Sequence, residues 1–322
     1  MTERFRNWWL IIGLVGFLGY VPGLPAALRL LNLFLFVPAI RTFIAQLRKQ
    51  PDQDVRPPAP KRKEPLPPPS GGSFLMDMRS TVATFLTLFV PAMFVQIIRQ
   101  IRGQDAAMKR AIEGPDGYQQ KARYRLPFEG TWYVIVGGIT PETSHSWDII
   151  GQRYAYDFVV ADDALRRWRT DGRQVEDYLA YGLPILAPAD GEVISVVDGV
   201  RDAPGVGTGW IDVLTRHFPG NSLIIQHAEH EYSFLAHLLA GSITVSPGDH
   251  VTQGQTIGRC GNSGHSTEPH LHFQVQDRAD FFQAAGLPVA FDHVRVDDGP
   301  AQSSAYLVMG THVSSASDAA NR

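Results

Sequence analysis

Hydrophobic and polar residues are arranged differently in the two parts of this chain. Up to about residue 100 the apolar residues come in long runs, at 7–28, 30–40 and 81–98. A helix needs about 20 apolar residues to cross a bilayer, so the uncharged first run is long enough. Pro22, Gly23 and Pro25 interrupt it and equally suit a short helical hairpin or re-entrant piece. The second run is followed by Arg41, Arg48 and Lys49, and the third lies between Arg79 and Arg99. Leu35-Phe-Val-Pro-Ala39 recurs as Leu88-Phe-Val-Pro-Ala92, an echo consistent with a duplicated, proline-kinked membrane helix. The first run lacks a small-residue cleavage site, so membrane attachment is expected rather than a removed signal peptide.

Beyond residue 130 the pattern shortens to strand-length runs bounded by Gly, Pro and Asp. They fall at 132–136, 154–160, 185–187, 192–197, 210–215, 222–227, 232–237, 255–259 and 270–276. Many short strands with little helix predict an all-β domain of antiparallel sheets, preceded by α-helical membrane segments. Residues 164–181 are the one stretch expected to be a helical insertion. The expected organisation is membrane segments at 1–49, a Pro-rich basic linker at 50–72 and a third hydrophobic helix at 73–103. A connector at 104–130, a β-rich domain at 131–300 and a partly disordered tail at 301–322 follow.

Charge sets the expected topology. The basic N-terminus and the linker residues Arg56, Lys61, Arg62 and Lys63 favour the cytoplasmic side, although Arg99, Arg102, Lys109 and Arg110 pull the other way. With the first two runs as a hairpin, the third carries the β domain across the cytoplasmic membrane to its periplasmic or extracellular side. The formal charge of -3 and the lack of an aromatic-interleaved basic patch argue against nucleic acid. The single cysteine, Cys260, excludes an internal disulfide framework and a Cys-rich zinc site.

The densest chemistry lies at 258–274, GRCGNSGHSTEPHLHFQ. Two imidazoles separated by one residue leave the same face of a strand, so one can hold a metal while the other touches what the metal activates. Neutral imidazole is the commonest protein ligand for zinc and the usual general base near pH 7. Gly258, Gly261 and Gly264, followed by Ser266, Thr267 and Pro269, form a tight loop feeding directly into the strand.

Here the chain resembles the lysostaphin/LytM-type zinc endopeptidases that cut peptidoglycan peptides. Their glycine-rich signature is matched by Gly261, Ser263, Gly264, Ser266, Thr267, Pro269, His270, Leu271, His272 and Phe273. Tyr232, Ala236, His237 and Leu238 fit an upstream Y-x-H-L type element. Val245, Gly248, Val251, Gly254, Gln255, Ile257 and Gly258 fit the run between the two histidine elements. Pro184, Ile185, Ala187, Pro188, Gly191 and Val193 resemble the entry strands, so the likeness extends over roughly residues 140–277. It implies a duplicated β hybrid motif, one Zn2+ per chain and a peptidoglycan peptide substrate, with the N-terminal helices in membrane lipid.

The family's usual H-x-x-x-D ligand pair is altered, because Arg153 stands four residues before Asp157 and a guanidinium has no lone pair to offer a cation. Either the metal site is broken or another histidine reaches it, and His145 is the expected replacement. The resemblance then implies His145, Asp157 and His272 as metal ligands, with His237 and His270 as the proton-transferring, oxyanion-stabilising pair. His227, His230, His250 and His265 are expected on turns or groove walls. A degenerate relative that binds cell wall or activates another hydrolase is the alternative from the binding class, and a carrier or transfer domain of similar architecture is a further one.

Overall fold

Alternation along Leu271–Gln276 organises the domain. Leu271, Phe273 and Val275 point into the main hydrophobic core, while His272, Gln274 and Gln276 share the other face and are also buried. One strand thus builds the core with its odd residues and the polar site with its even ones. In this computed structural model the described residues are 83, 86, 90–144 and 146–316. They belong to a compact unit of residues Pro60–Arg322. The runs at 7–28 and 30–40, the linker, residues 81–82, 84–85 and 87–89 of the third run, His145 and the last six residues lie outside the described set.

In chain order the strands are β1 (Trp132–Val136), β2 (Tyr156–Val159), β3 (Pro184–Leu186), β4 (Gly191–Val197), β5 (Asn221–Ala228) and β6 (Glu231–Leu238). They continue with β7 (His250–Val251), β8 (Thr256–Arg259), β9 (Leu271–Gln276), β10 (Gly286–Leu287), β11 (Phe291–Val296), β12 (Ala301–Ala305) and β13 (His312–Ser315). The large sheet runs β12-β11-β13-β1-β2-β9-β6-β5-β4-β7 with β10 added to β9, and β3 and β8 form a separate ribbon. Every strand pairing is antiparallel. Phe158, Phe273 and Phe291 meet beneath the β2-β9 pair with ring centroids 5.5–6.3 Å apart. Each is fully buried, contributing about 1.5–3 kcal/mol by removal from water.

The connector is tied down by one carboxylate. Glu231, at the start of β6, is wholly buried and accepts hydrogen bonds from Lys121 N (2.9 Å), Ala122 N (2.8 Å), Tyr124 Oη (2.9 Å) and Tyr118 Oη. Such charge-assisted bonds to backbone amides make the segment before β1 an integral part of the domain. Cys260 is fully buried, its N–H bonded to Leu183 O at 2.9 Å, and burial pushes its thiol pKa upward.

The structure departs from the sequence pattern in four places. Residues 164–181 form no α-helix: apart from a short 3-10 turn at Val175–Asp177 they are irregular, folded back by a Trp168–Tyr178 bridge around Gly172 at φ 68°. Residues 210–215 form no strand, because the Asp212 carboxylate draws the backbone N–H of Leu214 into a turn. The stretch beyond 300, expected to be partly disordered, supplies β12 and β13, and β13 lies between β11 and β1 inside the sheet. The described part of the third apolar run begins an 18-residue helix, α1 (Pro91–Met108), whose Met93, Gln96, Gly103 and Ala107 face inward. Among the described residues no helix is long and apolar enough to cross a membrane.

Candidate active site

Register alone brings the first two site residues together. Asp157 on β2 and Ala236 on β6 are both direct cross-strand partners of His272 on β9, so the three share one face. Asp157 Oδ1 lies 2.9 Å from His272 Nδ1. His270, at the mouth of β9, brings its Nε2 to 3.9 Å from the same carboxylate oxygen.

His237 reaches the site through an irregularity. Between the pairs Asn221–Leu238 and Leu223–Leu235, two residues of β6, Ala236 and His237, oppose one of β5, Ser222. This is a bulge, with His237 in the left-handed region at φ 62°. The extra residue lets Leu238 return to the core while the His237 ring turns into the cleft. A non-glycine residue in that conformation costs of order 1–3 kcal/mol, a strain that clusters at functional sites. The His237 and His270 ring centroids are 4.6 Å apart, and those of His237 and His272 are 6.0 Å apart.

Hydrogen bonds fix the tautomers of all three rings. His237 Nδ1 donates to Ser263 O (2.8 Å) and His270 Nδ1 to Glu268 O (2.8 Å), leaving a lone pair on each Nε2. His272 is reversed, and the reason lies along β9. Arg278 O can only accept, so Gln276 Nε2 donates to it (2.8 Å). Gln274 Nε2 then donates to Gln276 Oε1 (2.6 Å), and His272 Nε2 donates to Gln274 Oε1 (3.0 Å). The relay puts the proton on Nε2 and the lone pair on Nδ1, which faces a carboxylate.

Two acceptors 2.9 Å apart require a proton or a cation. Burial works against a charged His272, but the Asp157 hydrogen bond and charge outweigh it and raise the pKa. His237 is shifted the other way, well below the ordinary histidine value, by its burial and by its two neighbouring imidazoles. The donor chemistry fits a divalent cation: one carboxylate, one correctly oriented imidazole, and an amide relay of the kind that orients metal-bound histidines. Asp157 and His272 offer two donors, whereas a catalytic zinc site takes three protein ligands. Among the described residues no group of three or more His, Cys, Asp and Glu is arranged as a metal site. The expected first ligand, His145, lies outside the described residues.

Arg153 is no substitute. Its Nε donates to Trp147 O (3.1 Å) and its guanidinium sits 5.1 Å from the Trp147 ring centre. The neighbouring Gln152 lines the cleft instead. The cleft, about 230 Å³, has Ile211, Phe218, Phe234 and Phe281 as apolar walls around Asp157 and the three histidines. The sequence pattern gave no warning of these walls. His265 is on the rim, stacked on Phe218 at 4.8 Å and 22°, with its pKa pushed by burial down to about 4. His227 lies off the cleft and bonds to Asp190 O and Ser233 Oγ, and His230 and His250 are exposed.

Residues 175–284 match the model of peptidase family M23, which includes the glycine-rich loop, His237, His270 and His272. The chain carries a peptidase family M23 domain. Over 82 residues it is 39% identical to peptidoglycan DD-endopeptidase ShyA of Vibrio cholerae, covering 24% of this chain and 19% of that protein. Over 123 residues it is 29% identical to glycyl-glycine endopeptidase ALE-1 of Staphylococcus capitis, covering 35% of this chain and 29% of that protein. The matched stretches thus span less than a third of either relative. The lysostaphin catalytic domain from Staphylococcus simulans aligns with 49% of this chain and 88% of its own, at 19% identity and a TM-score of 0.29. Asp157 and the segment before it lie upstream of the stretch matched by the M23 model.

Proposed function

We propose that this protein is a membrane-anchored zinc endopeptidase that hydrolyses peptide bonds in peptidoglycan cross-links or stem peptides. Its catalytic domain faces the periplasmic or extracellular side of the cytoplasmic membrane. The observation that carries this reading is the meeting of the His272 Nδ1 lone pair with the Asp157 carboxylate, flanked by two histidines whose Nε2 atoms are free to take protons. His145, Asp157 and His272 would hold the metal. Bound there, zinc would polarise the scissile carbonyl and bring the pKa of a bound water to about 7.

The remaining work falls to this chain's own groups. His237, kept neutral by burial, accepts a proton from the attacking water at Nε2 and then delivers that proton to the leaving amine, while His270, once its own Nε2 carries a proton from solvent, stabilises the developing oxyanion. The aromatic walls exclude bulk water and hold the peptide. The proposed anchor keeps the site beside a polymeric substrate, raising its local concentration. The relatives' names support a wall-peptide substrate. The two apolar runs at 7–28 and 30–40 support attachment to membrane lipid.

One observation favours a second reading, a domain that holds wall peptides without cutting them: Arg153 occupies the usual ligand position and is turned onto Trp147. Metal analysis and digestion of purified peptidoglycan by the full-length protein separate the two. The enzyme reading expects about one zinc per chain, lost in both His272→Ala and His145→Ala together with the release of peptide fragments. A metal-free wild-type protein that binds peptidoglycan and releases nothing selects the binder, and zinc retained in His145→Ala removes that residue from the ligand set.

A further inference from the structure

α1 lies outside the matched M23 stretch, yet its buried Gln96 and its half-buried Gln104 each hold a segment that borders the cleft. Gln96 is 9% exposed; its Nε2 donates to Arg216 O (2.8 Å) and its Oε1 accepts from Phe218 N (2.8 Å). One side-chain amide therefore satisfies a donor and an acceptor two residues apart, as a neighbouring strand would. Phe218 stacks on His265 and its carbonyl accepts His265 N (2.9 Å), while the next carbonyl, Pro219 O, accepts His237 N (3.1 Å). The clamp thus ends one residue from the carbonyl that holds the left-handed bend at His237.

Gln104 repeats the arrangement on the second segment. Its Oε1 accepts from Ile150 N (3.2 Å) and its Nε2 donates to Asp148 O. Ile150 opens the turn that carries Gln152 into the cleft and leads to Asp157 on β2. The two glutamines are eight residues apart, about 12 Å along the helix axis and within about 80° of one another around it. Close docking holds them in place: a Cβ at Gly103 would sit 1.8 Å from Phe282 O. Arg99 pairs with Asp280 (3.4 Å) and Arg110 with Asp277 (2.5 Å).

We infer that α1 is a strap joining two segments that border the cleft, with Gln96 and Gln104 as positioning residues: Gln96 holds the segment that sets His237, and Gln104 holds the one that leads to Asp157. The assignment of a catalytic consequence rests on the peptidase reading above. A displacement of the helix from its N-terminal end reaches both segments through one rigid element, which ties the chemistry to the part of the chain expected in the membrane.

The test uses the full-length protein with Gln96→Leu, Gln104→Leu and the milder Gln96→Glu, which keeps the acceptor for Phe218 N and loses the donor to Arg216 O. Hydrogen exchange is expected to rise selectively at Phe218 and His237 in the Gln96 variants and at Ile150 in Gln104→Leu. On a cross-linked muropeptide, kcat should fall about 10-fold to 100-fold in each leucine variant with KM nearly unchanged, as for a misplacement near 1 Å. Gln96→Glu should lie between Gln96→Leu and wild type. Uniformly faster exchange across α1 and the sheet, with kcat per folded molecule unchanged, would overturn the inference and leave the glutamines as structural contacts. If the wild-type protein cleaves nothing, the peptidase reading fails, and the segment-specific exchange pattern alone decides for or against the strap.

Discussion

The two walls of the cleft are built by different means. The C-terminal wall, with His237, His270 and His272, is held by strand register, a bulge and backbone carbonyls within the matched M23 stretch. The N-terminal wall reaches Asp157 through a 3-10 turn held by a side chain of α1 and by an arginine turned onto a tryptophan. The contrast teaches that one wall, with His237 held to Ser263 O and His270 to Glu268 O, lies wholly inside the matched stretch, while the other depends on contacts made by residues upstream of it. It also locates where this domain could vary without loss of fold.

The largest expected effect tests the C-terminal wall. His237→Ala should lower kcat by about 10²–10⁴-fold with zinc content unchanged, which steady-state kinetics and metal analysis check together. Equal loss of zinc would mean that this histidine is a ligand and that the division between the walls is wrong. Next in size, Gln274→Leu removes the acceptor that fixes the His272 tautomer, and zinc affinity measured by chelator competition should weaken about 10–100-fold.

A smaller effect comes from His265. Its folded pKa is about 4 against 6.5 for an ordinary histidine, so between these values the unfolded chain binds the proton more readily. Its contribution to stability is therefore fully present above pH 6.5 and declines as pH falls toward 4. Thermal melts of His265→Gln should show a shallower loss over that window than wild type. The smallest effect is expected on the N-terminal wall. Arg153→Met, which loses one hydrogen bond and one ring contact, should cost about 1 kcal/mol of stability and alter peptide cleavage by less than about threefold. A large rate change in that variant would place Arg153 in the chemistry after all.

Legibility in the sequence follows the same division. The alternation in 270–276 placed two imidazoles on one face correctly, because a period of two is a local property of the strand. The bulge at His237 was invisible, since a one-residue excess exists only relative to β5. β12 escaped notice because AQSSA is polar and exposed, an edge strand whose pairing with β11 comes from the fold and not from a hydrophobic face. Residues 164–181 looked helical but contain Gly172 in a left-handed turn, and Arg167 is used in a buried pair with Glu268 at 2.8 Å. The glutamines of α1 carry no spacing signal for the loops they hold, because Arg216 and Ile150 are far away in sequence.

Cys260 lies at the foot of the glycine-rich loop with no surface exposed and its thiol held protonated by burial. In an oxidising compartment such a sulfur forms neither intermolecular crosslinks nor mixed disulfides while the domain stays folded. Its first encounter with an alkylating reagent coincides with the opening of the layer beneath the loop. The rate of thiol labelling in the otherwise cysteine-free chain is thus a built-in clock for that opening, readable by mass spectrometry without any engineered probe.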